Sequence, residues 1–330
     1  MRLADHIRTH LVLSFAVLLF ACLLPGPALP QAGRAVNVIV PFGPGGNLDL
    51  NARIVANLVK PWQSDPWIVI NKPGATGNLG LAEVMRSKPD GRTIALTGGA
   101  FLLQGQTADV PWKDGNDFEQ IAITLASYNP HFVRTDAPWK TMAELVEYSK
   151  KNPGKVNYGV VGPHGVGTVR YLLLRAATGI EWTEIPYSGD APTLTALMGG
   201  HIDTGSAAAA GVAAHARAGK IRLLAVPAAE RSPNMPDVPT FREQGYNVVL
   251  PSYNLILGPR GIPADVLKPM VHAIEQATAT PEYRKFAQDS GADLFVRTGE
   301  AMKTVLTSEG ATYRAVAPLL KDYIKTHPVK

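Results

Sequence analysis

The sequence predicts an α/β protein of two lobes with a cleft between them. Three observations carry that expectation. Short apolar runs with strand character alternate with helical patterns along the chain from residue 36 onward. Four glycine- and proline-rich turns, at 41–49, 71–80, 160–168 and 185–192, each close a strand and open a helix. At 330 residues the chain is also longer than one typical domain. The first two turns are assigned to one lobe and the last two to the other, and the strands are expected to pair mostly in parallel.

The N-terminus comes first. Arg2 and Arg8 precede an apolar run of 14 residues, 11–24, followed by the helix-breaking PGPALPQAG. A membrane span needs roughly 20 residues, so 1–32 reads as a secretory signal peptide, with cleavage after Ala28 or Ala32. The single cysteine, Cys22, lies in this leader, so the exported chain has no disulfide and relies on its core. Leu19-Phe20-Ala21-Cys22 loosely resembles a lipobox, although Phe20 stands where a smaller residue is expected. A cysteine discarded with the leader is the preferred reading.

After the leader, strands are predicted at 36–40, 67–70, 93–97, 121–124, 131–133, 155–161, 182–185, 221–226 and 255–257. Helical patterns fall at 50–59, 81–86, 142–150, 169–178, 193–198, 209–218, 264–278, 281–289 and 300–326. In the first helix Leu48, Ala52, Val55 and Val59 share a face. Thr141 with Glu144 has capping-box spacing, Pro281 is a first-turn proline and Gly291 a helix stop. The alanine-rich 207–219 reads as a packed helix. No repeat array or low-complexity tract interrupts the pattern.

The first two turns carry the chemistry. PFGPGGNLD, 41–49, and NKPGATGNLG, 71–80, each place backbone N–H groups at a helix N-terminus. Unsatisfied donors and the positive end of the macrodipole there favour an anion. Asp49 would repel such an anion, so its expected role is to cap backbone donors and to orient Asn47 or a water. A nucleotide is excluded: Leu48 stands where G-x-G-x-x-G needs its third glycine, and no Gly-Lys-Ser/Thr ends either loop. No serine sits in a G-x-S-x-G frame, none of the eight histidines is followed by the Glu of H-E-x-x-H, and His131, His164, His201, His215 and His272 show no metal-ligand spacing. A net charge of +5 without a basic run speaks against nucleic acid. Binding of a small anion without catalysis, metal or cofactor is what remains.

The order of PFGPGGNLD, INKPGATGNLG, PDGRTIAL, GVGT, IPYSGDAPTLTALMGGHID, GKIRLLAV, ERSPNMPDVPTFREQGY and LGPRGIP resembles the periplasmic solute-binding receptors of tripartite tricarboxylate transporters, the TctC or Bug family. The resemblance covers nearly the whole exported region. It implies a type II periplasmic-binding-protein-like fold, with 34–130 plus 251–330 as lobe 1, 131–250 as lobe 2, and crossings near His131 and Pro251. It also implies a periplasmic monomer that holds a small organic carboxylate and passes it to the membrane permease subunits. The ligand-binding residues it nominates are Phe42, Gly45, Gly46, Asn47 and Asp49 in the first loop and Ala75, Gly77 and Asn78 in the second. From the opposite lobe come Gly167, Thr168, Tyr187 and Asp203.

Departures from the family pattern fall on the distal side of the expected cleft. They are Tyr171, Ser188, Asp190, a third loop lengthened by Pro163 and His164, and Tyr253-Asn254. Asp190 is expected either to accept from a ligand amino or hydroxyl group or to lie on the surface, with the surface preferred. Two other functions stay open: a receptor feeding a sensor kinase, and a secreted enzyme acting on a carboxylate, against which the missing nucleophile and metal patterns count.

Overall fold

The alternating run after the leader forms β1 (Val36–Val40), which pairs in parallel with β2 (Trp67–Asn71) and β3 (Thr93–Gly98). This is a computed structural model; it describes residues 35–162 and 165–327. The leader with Cys22, and the Pro163–His164 pair of the third loop, lie outside the described residues. From Ala35 onward the chain is one compact unit, built on two sheets.

The first sheet has the order β11-β4-β10-β3-β1-β2, with β4 (Phe118–Ser127), β10 (Ser252–Pro259) and β11 (Asp293–Arg297). The second has the order β7-β6-β8-β5-β9. Its strands are β5 (His131–Arg134), β6 (Val156–Val161), β7 (Trp182–Tyr187), β8 (Thr204–Ser206) and β9 (Ile221–Ala225). The chain passes from β4 directly into β5 and returns through 226–251 to β10. The expectation of mostly parallel pairing is corrected here. The pairings β1–β2, β1–β3, β6–β7 and β6–β8 are parallel, whereas β10 runs against β3 and β4, β11 against β4, and β5 against β8 and β9. A strand that re-enters a sheet from the other sheet arrives without a same-sheet strand–helix–strand crossover to set its direction.

The helices are α1 (Asn47–Leu58), α2 (Asn78–Arg86), α3 (Ala100–Thr107), α4 (Met142–Lys151) and α5 (Val166–Thr178). They continue with α6 (Asp190–Met198), α7 (Ala209–Arg217), α8 (Ala264–Ala279), α9 (Pro281–Asp289) and α10 (Gly299–Thr326). Start signals behave as the sequence suggests, with one shift. Thr141 Oγ1 accepts the Glu144 N–H at 3.1 Å, but the Glu144 carboxylate reaches the Lys140 N–H rather than closing the box on Thr141. Thr280 caps α9, with Pro281 in its first turn.

Both faces of the first sheet are buried. Val38, Val40, Ile94, Leu96 and Ile256 pack against Val55 of α1, Ile274 of α8 and Tyr283 of α9. On the other face Ile39, Ala95, Leu255 and Leu257 meet Leu81, Leu102, Leu306 and Val316. That second core continues into the other sheet through Val133, Tyr158, Val160 and Trp182. Apolar packing thus joins the two sheets across α5 and α10, whose contact places a helix of each on one seam. No helix among the described residues is long and apolar enough to cross a membrane.

Candidate functional site: paired glycine loops at the strand ends

The carboxyl ends of β1, β2 and β3 lie side by side, the position at which parallel strands present helix N-termini. The first loop leaves β1 at Pro41 and enters α1 through Gly46, and residues 43–47 are exposed. No side chain caps α1, so its first N–H groups have no intrahelical acceptor and face outward.

Asp49 explains how the loop keeps its shape. Its side chain is 2% exposed, and its two oxygens accept from the Gly45 N–H, Arg53 Nε and Asn71 Nδ2, each at 2.9 Å. The Arg53 hydrogen bond leads the groups that hold the carboxyl down at about 2, and burial works against it. Asn71, the last residue of β2, also donates to the Phe42 carbonyl at 3.1 Å and accepts from Arg53 Nη2 at 3.2 Å. Capping of a backbone donor is therefore present, but the side chain that Asp49 orients is Asn71, not Asn47. Asn47 is exposed in the first turn of α1. With both its oxygens so engaged, Asp49 shapes the loop rather than facing a ligand.

The second loop is held in an unusual backbone. Gly74, Ala75, Thr76 and Gly77 have φ of 137°, 47°, 56° and 93°, four positive values in succession. Ala75 and Thr76 occupy a region that costs side-chain-bearing residues on the order of 1–2 kcal/mol each. Gln104 Nε2 of α3 donates to the Thr76 carbonyl at 2.8 Å and helps hold the turn. The two loops also touch. A Cβ on Gly77 would lie 3.2 Å from Phe42 Cζ, and one on Gly80 would lie 2.9 Å from Pro41 Cβ and 3.1 Å from the Lys72 carbonyl oxygen. Asn78 opens α2 with its Oδ1 buried and without a hydrogen-bond partner.

In the second sheet, Tyr187 ends β7, and its carbonyl accepts the Gly162 N–H at 2.8 Å. Gly167 and Thr168 lie in the first turn of α5. The Thr168 hydroxyl donates inward to Glu184 at 2.8 Å and the residue is fully buried, so its side chain is not presented to a ligand. Asp203 is not brought to this group. It pairs through backbone and carboxylate with Asn157, near the start of β6, whereas Gly162 and Gly167 lie beyond the end of that strand. At ~3.3 Å per residue the separation is more than 10 Å. Asp190, expected at the surface, is half-buried and accepts the Ala208 N–H at 3.1 Å at the start of α7.

The two halves meet at the chain crossings. Arg170 of α5, 5% exposed, donates from Nε and Nη2 to the Leu250 carbonyl at 3.0 and 2.7 Å. His131, at the other crossing, stacks on Tyr158 with ring centroids 5.3 Å apart, and its burial pulls the imidazole down to about 3. Ser232 Oγ and Asn234 Nδ2 donate across to Asp293 at the start of β11, at 3.0 and 2.7 Å. Sequence reasoning missed Asn71 and Gly80 as supports and never noted Arg170. Asn71 is the first residue of the second loop, and Arg53 lies four residues beyond Asp49, the spacing of a helical ion pair. Among the described residues no group of three or more His, Cys, Asp or Glu is arranged to hold a metal ion.

Residues 51–316 match the model of the tripartite tricarboxylate transporter family receptor, TctC. A protein from the gbd 5′ region of Cupriavidus necator, named UPF0065, is 32% identical over 78% of this chain and 80% of its own length. A TctC solute-binding protein from Polaromonas, solved without ligand, superposes with a TM-score of 0.78 at 27% identity, covering 88% of this chain and 99% of that one. MatC from Rhodopseudomonas palustris with bound malate gives 0.70 at 25% identity over 88% and 100%.

Proposed function

We propose that this chain, which belongs to the tripartite tricarboxylate transporter receptor family, captures a small organic carboxylate between its two sheets and delivers it to the permease subunits of such a transporter. Receptors of this family are periplasmic binding proteins. The observation that carries the reading for this chain is the locked pair of loops. Asp49, Arg53 and Asn71 spend their polar groups on one another and on the loop backbone, which leaves the N–H groups at the start of α1 as donors for a ligand. At α2, where Gly77 and Asn78 donate to the Gly74 and Ala75 carbonyls, the remaining first-turn N–H groups serve.

Hydrogen bonds to a charged group contribute roughly 1.5–3 kcal/mol each. Several of them, less the cost of association, reach the ~8 kcal/mol of a micromolar complex without an arginine fork. The contacts proposed are Phe42, Gly45, Gly46, Asn47, Ala75, Gly77 and Asn78 on one side, with Asp49 acting through the loop. Gly167, the Thr168 backbone and Tyr187 face them from the other. The similar receptor MatC holds malate, a small organic carboxylate. Export through the leader and action as a monomer complete the reading; binding and release, with no chemical step, are all it needs. Native mass spectrometry of the purified protein tests it: a mass increment that matches an organic acid supports the reading, and a neutral solute or a nucleotide in its place sinks it.

A further inference from the structure

We propose that Glu309 is a second ligand contact at the floor of the same cleft, and that it takes a hydroxyl group of the bound carboxylate. The inference rests on the carboxylate reading above and adds to it a choice among carboxylates.

The place is the junction of β3 and α3, which both anchor loops flank. Gly98, the last residue of β3, has Leu48 beside it, since a Cβ there would lie 4.0 Å from Leu48 Cδ1. On the other side Gln104 of α3 holds the second loop through the Thr76 carbonyl. Glu309 reaches this junction from α10. A Cβ on Gly99, the residue before α3, would lie 2.7 and 3.2 Å from its two carboxyl oxygens, so the carboxyl packs directly against this backbone. Glu309 is 6% exposed; its carboxyl interacts with the Tyr313 hydroxyl, but neither oxygen makes a well-formed hydrogen bond.

A buried carboxyl so poorly satisfied is costly, and an apolar residue would pack there at less cost. Both Glu309 oxygens are buried without a well-formed hydrogen bond, which marks the carboxyl as a group with capacity for a ligand.

The surroundings choose the occupant. Arg170 of α5 faces Glu309, with Nε and Nη2 directed at the Leu250 carbonyl, while the Tyr313 hydroxyl interacts with the carboxyl and Tyr253 lies near it. The positive charge of Arg170 opposes a ligand ammonium. Burial pushes the Glu309 carboxyl up to about 8, so at neutral pH it is an O–H donor as well as an acceptor. A hydroxyl, itself donor and acceptor, satisfies both halves of that group at once, whereas a methylene satisfies neither.

Isothermal titration with pairs that differ by one hydroxyl tests the contact: succinate with malate, glutarate with 2-hydroxyglutarate, phenylacetate with mandelate. In the wild type the hydroxylated member of a binding pair is expected to bind at least tenfold tighter. Glu309→Met, which fills the space without polar atoms, should bring that preference below threefold and leave the other member within twofold. Glu309→Gln keeps a donor and an acceptor and should retain the preference, which separates the contact from a purely structural role. Wild-type binding without hydroxyl preference, or an unchanged preference in Glu309→Met, overturns the contact alone. No binding by any pair in the wild type overturns the carboxylate reading and the contact with it.

Discussion

Asp49→Ala is the substitution that most directly probes how the first loop is built. It removes three acceptor interactions at once, from the Gly45 N–H, Asn71 Nδ2 and Arg53 Nε, all at 2.9 Å. The first two go to a buried carboxylate and contribute roughly 1.5 kcal/mol each, the low end of the range for charged acceptors at a wet loop edge. Arg53 is half exposed, so its ion pair adds little to these two. The sum, about 3 kcal/mol, is reduced as water reaches the freed donors, which leaves an expected loss of about 2 kcal/mol. For a chain of this size that lowers Tm by about 3 °C. The freed loop must be reordered on binding, and if about 1.4 kcal/mol of that cost falls there, affinity for a carboxylate drops about tenfold. Differential scanning calorimetry and isothermal titration read the two effects separately. Unchanged Tm together with unchanged Kd would refute the idea that Asp49 holds the loop.

Other expectations follow from the same geometry. Gly80→Ala forces a Cβ against Pro41 and the Lys72 carbonyl, so titration should show binding weakened at least tenfold, whereas Leu79→Ala on the exposed neighbouring position should change it little. Ala75→Gly relieves a positive φ and, after the greater entropy of the unfolded chain is subtracted, should leave stability unchanged or raise it by up to about 1 kcal/mol in urea denaturation. The pH dependence has two limbs of opposite sign. The Asp49 carboxyl is lowered to about 2 in the fold, so its stabilisation is complete above its ordinary value near 4 and is lost as pH falls toward 2. The Glu309 carboxyl is raised to about 8, so the fold binds the extra proton and stability declines as pH rises from about 4.5 to 8. Urea titrations across that range should show the decline in the wild type and a flatter curve in Glu309→Gln.

Much of the scaffold was legible in the sequence because local signals and tertiary structure agree there. β1 and α9 carry clean periodicity and start signals, and both match residue for residue. Three elements escaped. β8 is the three-residue Thr-Gly-Ser, too short and too polar for a period of two to register. β11 begins and ends with charged residues, and α3 contains a glycine near its end, so neither pattern stands out. Strand direction escaped as well, since β10 is antiparallel to its neighbours only because the chain returns to the first sheet from the second. Within the site, glycine loops at strand ends are a local grammar and could be read. The partner of Asp49 could not, because Asn71 reaches it only once β1 and β2 are paired. Asp203 shows the converse: its segment matched the family pattern, yet the strand register carries it to the far end of β6.

The central claim is that the two locked loops hold a carboxylate by its charge. Titration of the protein with dicarboxylates of increasing length, each alongside its uncharged diamide, tests it most directly. The account expects at least one acid to bind at micromolar Kd while its diamide binds at least a hundredfold more weakly, because N–H groups at helix N-termini favour an anion over a neutral group of the same shape. A diamide that binds as tightly as its acid would contradict it.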